Sequence, residues 1–256
     1  TWIPTFIAVV GAPPSIMLIY GASVPALITG SILGGIICAP TSYWLGNTLI
    51  PMLGVPGVVA NVAAMAITGI MICYICKVIP WIKKVPVKSH RKSNGPSVNV
   101  YSATWSVRRA LAEFSEPQFY GNEVASIFLL LGLTIDTMIS GGLPAYGSNA
   151  IGTILLSQFI GAGVGIFLYA HKFENGGWYA TYVPVVSVGP ACVLMFGATI
   201  PVAAFAGILG GIFGGPVAEF FAGKLPEDVH GTNANVLSMA LCTSIIAIVM
   251  KASGMF

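Results

Sequence analysis

The chain has 256 residues, of which 56% are hydrophobic and only 7% charged, with a formal net charge of +3. A water-soluble domain carries about 25% charged residues, so a solvated surface is excluded and a bilayer is the expected solvent. A β-barrel is excluded too, because it needs polar residues at alternate positions, whereas the apolar runs here are continuous. The first residue, Thr1, follows neither an initiator Met nor a basic leader, which predicts a processed or trimmed end without a signal peptide.

In chain order, apolar segments occupy 3–20 (A), 25–38 (B) and 56–79 (C). A polar stretch, 80–121, separates them from 123–140 (D), 148–169 (E), 179–196 (F), 201–222 (G) and 234–251 (H). The pattern predicts an all-α polytopic membrane protein with about 8 transmembrane segments. Segments A, B, F and G are short and interrupted by Pro13-Pro14, Pro25, Pro190 and Pro201. Each pair therefore reads as two tilted helices or as a re-entrant hairpin.

The basic residues set the orientation. Lys77, Lys83, Lys84, Lys88, Arg91, Lys92, Arg108 and Arg109 lie in or beside 80–121, out of 11 Lys and Arg in all. By the positive-inside rule this loop is cytoplasmic, on the inner face of a cell or plasma membrane. The loops at 171–177 and 223–233 are then inside, and 141–147 and both termini outside. The tract around Lys83–Lys92 reads as a linker able to touch anionic headgroups. Its sequel, "SATWSVRRALAEFSEPQF", reads as an amphipathic arm on the membrane surface.

An internal repeat organises the rest. "YGASVPALITGSILGGIICAP" at 20–40 returns at 196–216 as "FGATIPVAAFAGILGGIFGGP", identical at nine aligned positions that include Gly21/Gly197, Pro25/Pro201, Gly34/Gly210 and Pro40/Pro216. After a two-residue gap the match continues through Gly57/Gly231, Asn61/Asn235 and Met65/Met239. The expected domains are a first transmembrane repeat (1–79), the basic loop and arm (80–121), a two-helix hairpin (122–170) and a second repeat (171–256). Five crossings from A to E, or three if the paired segments are re-entrant, is an odd number, so the two three-segment repeats should be inverted. Inverted repeats with broken helices are the recurrent build of secondary transporters. An alternative division makes D–H one five-helix unit, with A–C lacking two helices upstream of Thr1.

Candidate site residues follow from polarity at depth. Pro14 and Pro190 align and would break A and F, exposing helix-end dipoles to a solute or ion. Asp136 in "LLLGLTIDTMIS" and Glu219 in "GGPVAEFFAG" are ionisable groups near apolar segment ends, and so candidates for coupling. Asn61 and Asn235 are repeat-related amides able to ligate a cation or hold a carboxylate. Asn149 and Gln158 form a second polar set on E, and Gln158 at mid-helix should face the bundle. Gly30-x-x-x-Gly34, Gly161-x-x-x-Gly165, Gly207-x-x-x-Gly211 and Gly210-x-x-x-Gly214 read as close-packing faces.

The loop "KLPEDVHGTN" at 224–233 reads as solvated rather than metal-binding. All five Cys lie in apolar segments and read as packing residues, including the Cys73/Cys76 pair. The expected function is Na+- or H+-coupled transport of a small solute or ion by alternating access, with no cofactor beyond the coupling ion. The alternative is an anchoring or ion-conducting membrane subunit of a larger complex. Expected partners are the lipid bilayer, the solute, and either further copies of the chain or other membrane subunits. No nucleic-acid motif occurs, and an intramembrane enzyme is disfavoured because no nucleophile–base pair is spaced recognisably.

Overall fold

The computed structural model describes residues 5–84, 99–141, 145–254 and 256. Those residues form helices joined by turns, with no strand among them. In chain order the helices are α1 (Ile7–Tyr20), α2 (Val24–Leu53), α3 (Val58–Val78), α4 (Ala103–Ala112), α5 (Glu123–Ser140), α6 (Ile151–Tyr169), α7 (Pro184–Phe196), α8 (Ile200–Ala222) and α9 (Thr232–Ser253). Helices α2, α3, α5, α6, α8 and α9 are long and apolar enough to cross a membrane. Large apolar side chains such as Phe128, Met138 and Phe167 are exposed on them, an arrangement suited to lipid and not to water. The chain is a multi-pass membrane protein.

Of the eight expected spans, six have this length. The other two, A and F, appear as the shorter helices α1 and α7. Segment B is longer than expected, because α2 continues from Val24 to Leu53 as a 30-residue helix. Pro40 does not end it. The preceding turns widen into a π-helix at Gly34–Cys38, which relieves the clash a proline ring makes with the preceding turn. At F the helix starts late. Residues 179–182 are buried but not helical, and Pro184–Val188 form a second π-helical stretch.

The chain divides into two compact units. The first comprises Thr1–Arg91 and Val217–Leu241, the second Lys92–Pro216 and Cys242–Phe256. In the first, α1 folds back on the start of α2. Gly30 and Gly34 make that approach feasible, since a Cβ on Gly34 would lie 2.7 Å from the Ala8 carbonyl and 3.4 Å from the Ala12 Cβ. In the second, Gly207 and Gly211 of α8 face α6, where added Cβ atoms would meet the Ser157 and Gly161 carbonyls at 2.6 and 2.7 Å. Gly210 faces Pro184 and Val188 of α7 at 2.8 and 3.1 Å. The glycine spacings are packing faces, as their small size predicts.

Two turns share one local geometry. Gly21 has φ 86° and ψ 164°, and Gly197 has φ 104° and ψ 156°. After each glycine a hydroxyl caps the next helix: Ser23 Oγ accepts from the Ala26 amide at 3.3 Å, and Thr199 Oγ1 from that of Val202 at 3.4 Å. Such caps satisfy amides that have no partner within the helix.

The 224–233 loop is not simply solvated. Val229 is buried and Leu225 packs beside it in a cluster with Tyr20, Ile72, Cys73 and Cys76. Asp228 pairs with Lys77 at 2.6 Å and with Lys84 at 3.1 Å, and those two ammonium groups hold its carboxyl below the usual carboxylate range. The arm also departs from a surface helix. The end of α4 sinks into the second unit, with Ala112, Glu113, Phe114 and Ser115 all buried. Most of the Lys83–Lys92 tract falls in 85–98, outside the described residues, as do 142–144 of the expected outer loop.

Candidate functional site

Each unit carries a buried polar group at an irregular helix. In the first unit α1 is interrupted at Gly11, whose φ −85° and ψ −82° leave the helical region. The Cys38 thiol donates to the Ile7 carbonyl there at 3.8 Å. One turn further on, Ser15 is buried and its Oγ lies 3.2 Å from Thr232 Oγ1. Asn233 Nδ2 donates to Ser15 Oγ at 3.0 Å and to the His230 carbonyl at 3.1 Å. The Thr232 amide donates to His230 Nδ1 at 3.2 Å, which fixes the neutral imidazole with its proton on Nε2. Burial also holds His230 below its usual range. Gly69 of α3 leaves the room for this knot, because a Cβ there would lie 2.0 Å from Asn233 Oδ1. Ser15, Thr232 and Asn233 thus present hydroxyl and amide groups at the start of α9, where helix amides have no intrahelical acceptors.

In the second unit the irregular element is 179–188. Gln158 of α6 donates through Nε2 to the Val185 carbonyl at 2.6 Å, satisfying an acceptor in the π-helical turn. Ser187 and Thr243 hydroxyls lie 3.2 Å apart nearby. Thr181, in the non-helical stretch, donates to Glu113 Oε1. Glu113 is fully buried and 3.0 Å from Arg109 Nη2, which also binds Glu116. Glu116 accepts as well from the Trp178 indole. Burial pushes the Glu113 carboxyl up to about 8 against the opposing pull of Arg109. Glu113 Oε2 and Arg109 Nε have no hydrogen-bond partner.

The expected site residues distribute as follows. Asn61 is buried on α3 and accepts from Ser42 Oγ at 2.8 Å. Asn235 is buried on α9. Gln158 faces the protein interior, as a mid-helix amide in hydrocarbon must. Pro14 and Pro190 are half-buried near the starts of regular helix, after the Gly11 break and the π-helical stretch respectively. Asp136 is exposed on α5, Glu219 is exposed near the end of α8, and Asn149 is exposed in a left-handed turn with φ 57°. Asn61 and Asn235 belong to the first unit, and Gln158, Asn149 and Asp136 to the second.

Sequence reasoning missed Glu113, Thr181, Ser15 and Asn233. A signal existed for Glu113, since "RRALAEF" places it four residues after Arg109 and beside Phe114 at the apolar end of the arm. Ser15 directly follows the Pro13-Pro14 break. Among the described residues no group of three His, Cys, Asp or Glu side chains is placed to hold a metal ion. No family model, curated protein or solved structure matches the chain.

Proposed function

We propose that the protein is a secondary transporter, moving a small solute or ion by alternating access with Na+ or H+ as the coupling ion. It would be built from two inverted three-segment repeats. The observation that carries this reading is that the two helix interruptions fall at repeat-matched places, each with buried polar groups beside it. The Gly11 break and the π-helix at Pro184–Val188 overlap in the alignment that also matches the Gly21 and Gly197 turns. The contacts of Gly34 with Ala8 and Ala12 correspond, at the same offset of 176, to those of Gly210 with Pro184 and Val188. Irregular backbone at membrane depth is sustained where protein groups or a water-filled cavity satisfy it, and transporters place their sites at such points.

Inversion follows if α7 completes a crossing with its lead-in. Residues 179–182 are turned rather than extended, with the Thr181 amide donating to the Tyr179 carbonyl at 2.9 Å. Helix α7 supplies about 20 Å, and this lead-in with its neighbours must supply the rest of a hydrocarbon core of about 30 Å. Five crossings (α2, α3, α5, α6 and α7) then separate the Gly21 and Gly197 turns. Single cysteines at Ala22 and Ala198, labelled with an impermeant maleimide in sealed vesicles, should react from opposite sides. Reaction from one side removes the inversion. In liposomes the purified protein should carry a Na+ or H+ flux, and flux indifferent to Asp136→Asn and Glu219→Gln would remove those two carboxylates as coupling groups.

A second reading is favoured by α5, of whose 18 residues only Ser126 is buried. A helix so bare within its own chain suits a membrane subunit that packs against another. Stoichiometric co-purification of a second membrane protein in mild detergent would support it, and full flux from the chain alone would exclude it.

A further inference from the structure

Two carboxylates share one guanidinium in the second unit. With Glu113 and Glu116 both ionised the cluster carries a net charge of −1, and Glu113 holds its share in a fully buried position. An unneutralised charge in such surroundings is costly, and one proton removes it. Glu116 keeps a slight exposure and is anchored by both Arg109 and the Trp178 indole. Glu113 has one oxygen engaged, by Arg109 and Thr181, and the other without a partner.

Among the described residues, Arg109 is the cation paired with Glu113. Phe173 lies over the Arg109 guanidinium at 4.9 Å, Lys172 stands over the Tyr179 ring, and Glu174 binds the Tyr101 hydroxyl. On α5, Glu123 is taken by Arg108 at 2.8 Å, and Ser126 by Ser115. On α6 the facing group is Phe159, against Phe114.

We propose that Glu113 is a proton-binding site, taking one proton from solvent onto Oε2, with its occupancy read by Thr181 in the stretch that leads into α7. Protonation takes the negative charge off the carboxyl and weakens it as an acceptor, loosening the Thr181 hydroxyl that ties 179–183 to the arm. The use of this proton as the coupling ion rests on the transporter reading, whereas the site itself does not.

The test is infrared difference spectroscopy of the purified protein across a pH titration. Wild type minus Glu113→Gln should contain a protonated-carboxyl band at neutral pH, lost with a midpoint near 8. Glu116→Gln should move that midpoint down, by removing a like charge, and Thr181→Val should move it up, by removing a donor to the charged form. These two variants leave Glu113 in place should its own replacement fail to fold. A Glu113 band that titrates in the ordinary carboxylate range, or a midpoint unmoved by both neighbours, overturns the proposal. A band titrating as expected in protein that carries no H+ flux in liposomes upholds the proton site and removes its use in transport.

Discussion

Gly211→Ala and Gly163→Ala make a matched pair that tests the packing of α6 on α8. A Cβ at 211 would lie 2.7 Å from the Gly161 carbonyl oxygen and 2.8 Å from the Val164 Cβ, about 0.7 Å short of ordinary 3.4 Å contact. One obstacle is backbone, so the helices must separate rather than a side chain rotate. Overpacking of this kind costs about 1–3 kcal/mol, while replacing a helical glycine by alanine returns about 1 kcal/mol. The net expectation is a loss of up to about 2 kcal/mol. At Gly163, on the facing helix α6, an added Cβ meets nothing within 4 Å, so only the gain of up to about 1 kcal/mol remains. Reversible unfolding in mixed detergent micelles should therefore separate the two variants by about 2 kcal/mol, with wild type between them. A Gly211→Ala protein as stable as Gly163→Ala would refute the close approach of these helices.

Gln158→Leu strands the Val185 carbonyl in its π-helical turn, and the same unfolding assay should show a loss of about 1 kcal/mol. Tyr20→Phe should act in the opposite direction, because the Tyr20 hydroxyl is buried without a partner, and removing it gains up to about 1 kcal/mol. A destabilised Tyr20→Phe would mean that the hydroxyl is satisfied. The raised Glu113 carboxyl makes stability depend on pH in a defined sense. The folded chain holds a proton that the unfolded chain releases, so this contribution is complete below the ordinary carboxylate value of 4.5. It drains as pH rises to about 8 and is flat above that. In Glu113→Gln that slope should vanish from an unfolding series taken across the same window.

Much of the architecture was legible because hydropathy dominates it. Helix α5 begins and ends at the expected Glu123 and Ser140, and α3 and α9 lie within two residues of segments C and H. The errors are those where a local rule met a tertiary remedy. Segment B is expected to end at 38, before Pro40, yet α2 continues past that proline because its turns widen just before it. That extension also carries Ser42, the partner of Asn61, from a supposed loop into a buried hydrogen bond. The charges of "KLPEDVHGTN" predict solvation, but Leu225 and Val229 anchor the segment to the core while Asp228 reaches back to Lys77. Glu113 was hidden for the same reason. Its helix is amphipathic by pattern, and only the packing of α4 on α5 and α6 shows that its last turn is enclosed.

All five cysteines are buried thiols, and this has a use beyond packing. A maleimide or disulfide reagent in the medium can reach them only when the surrounding structure opens, so their reaction rates in the native state report local opening free energies. Cys38, Cys73 and Cys76 stand in one unit and Cys192 and Cys242 in the other. The unmodified chain thus carries its own probes of whether its two halves loosen together or one before the other.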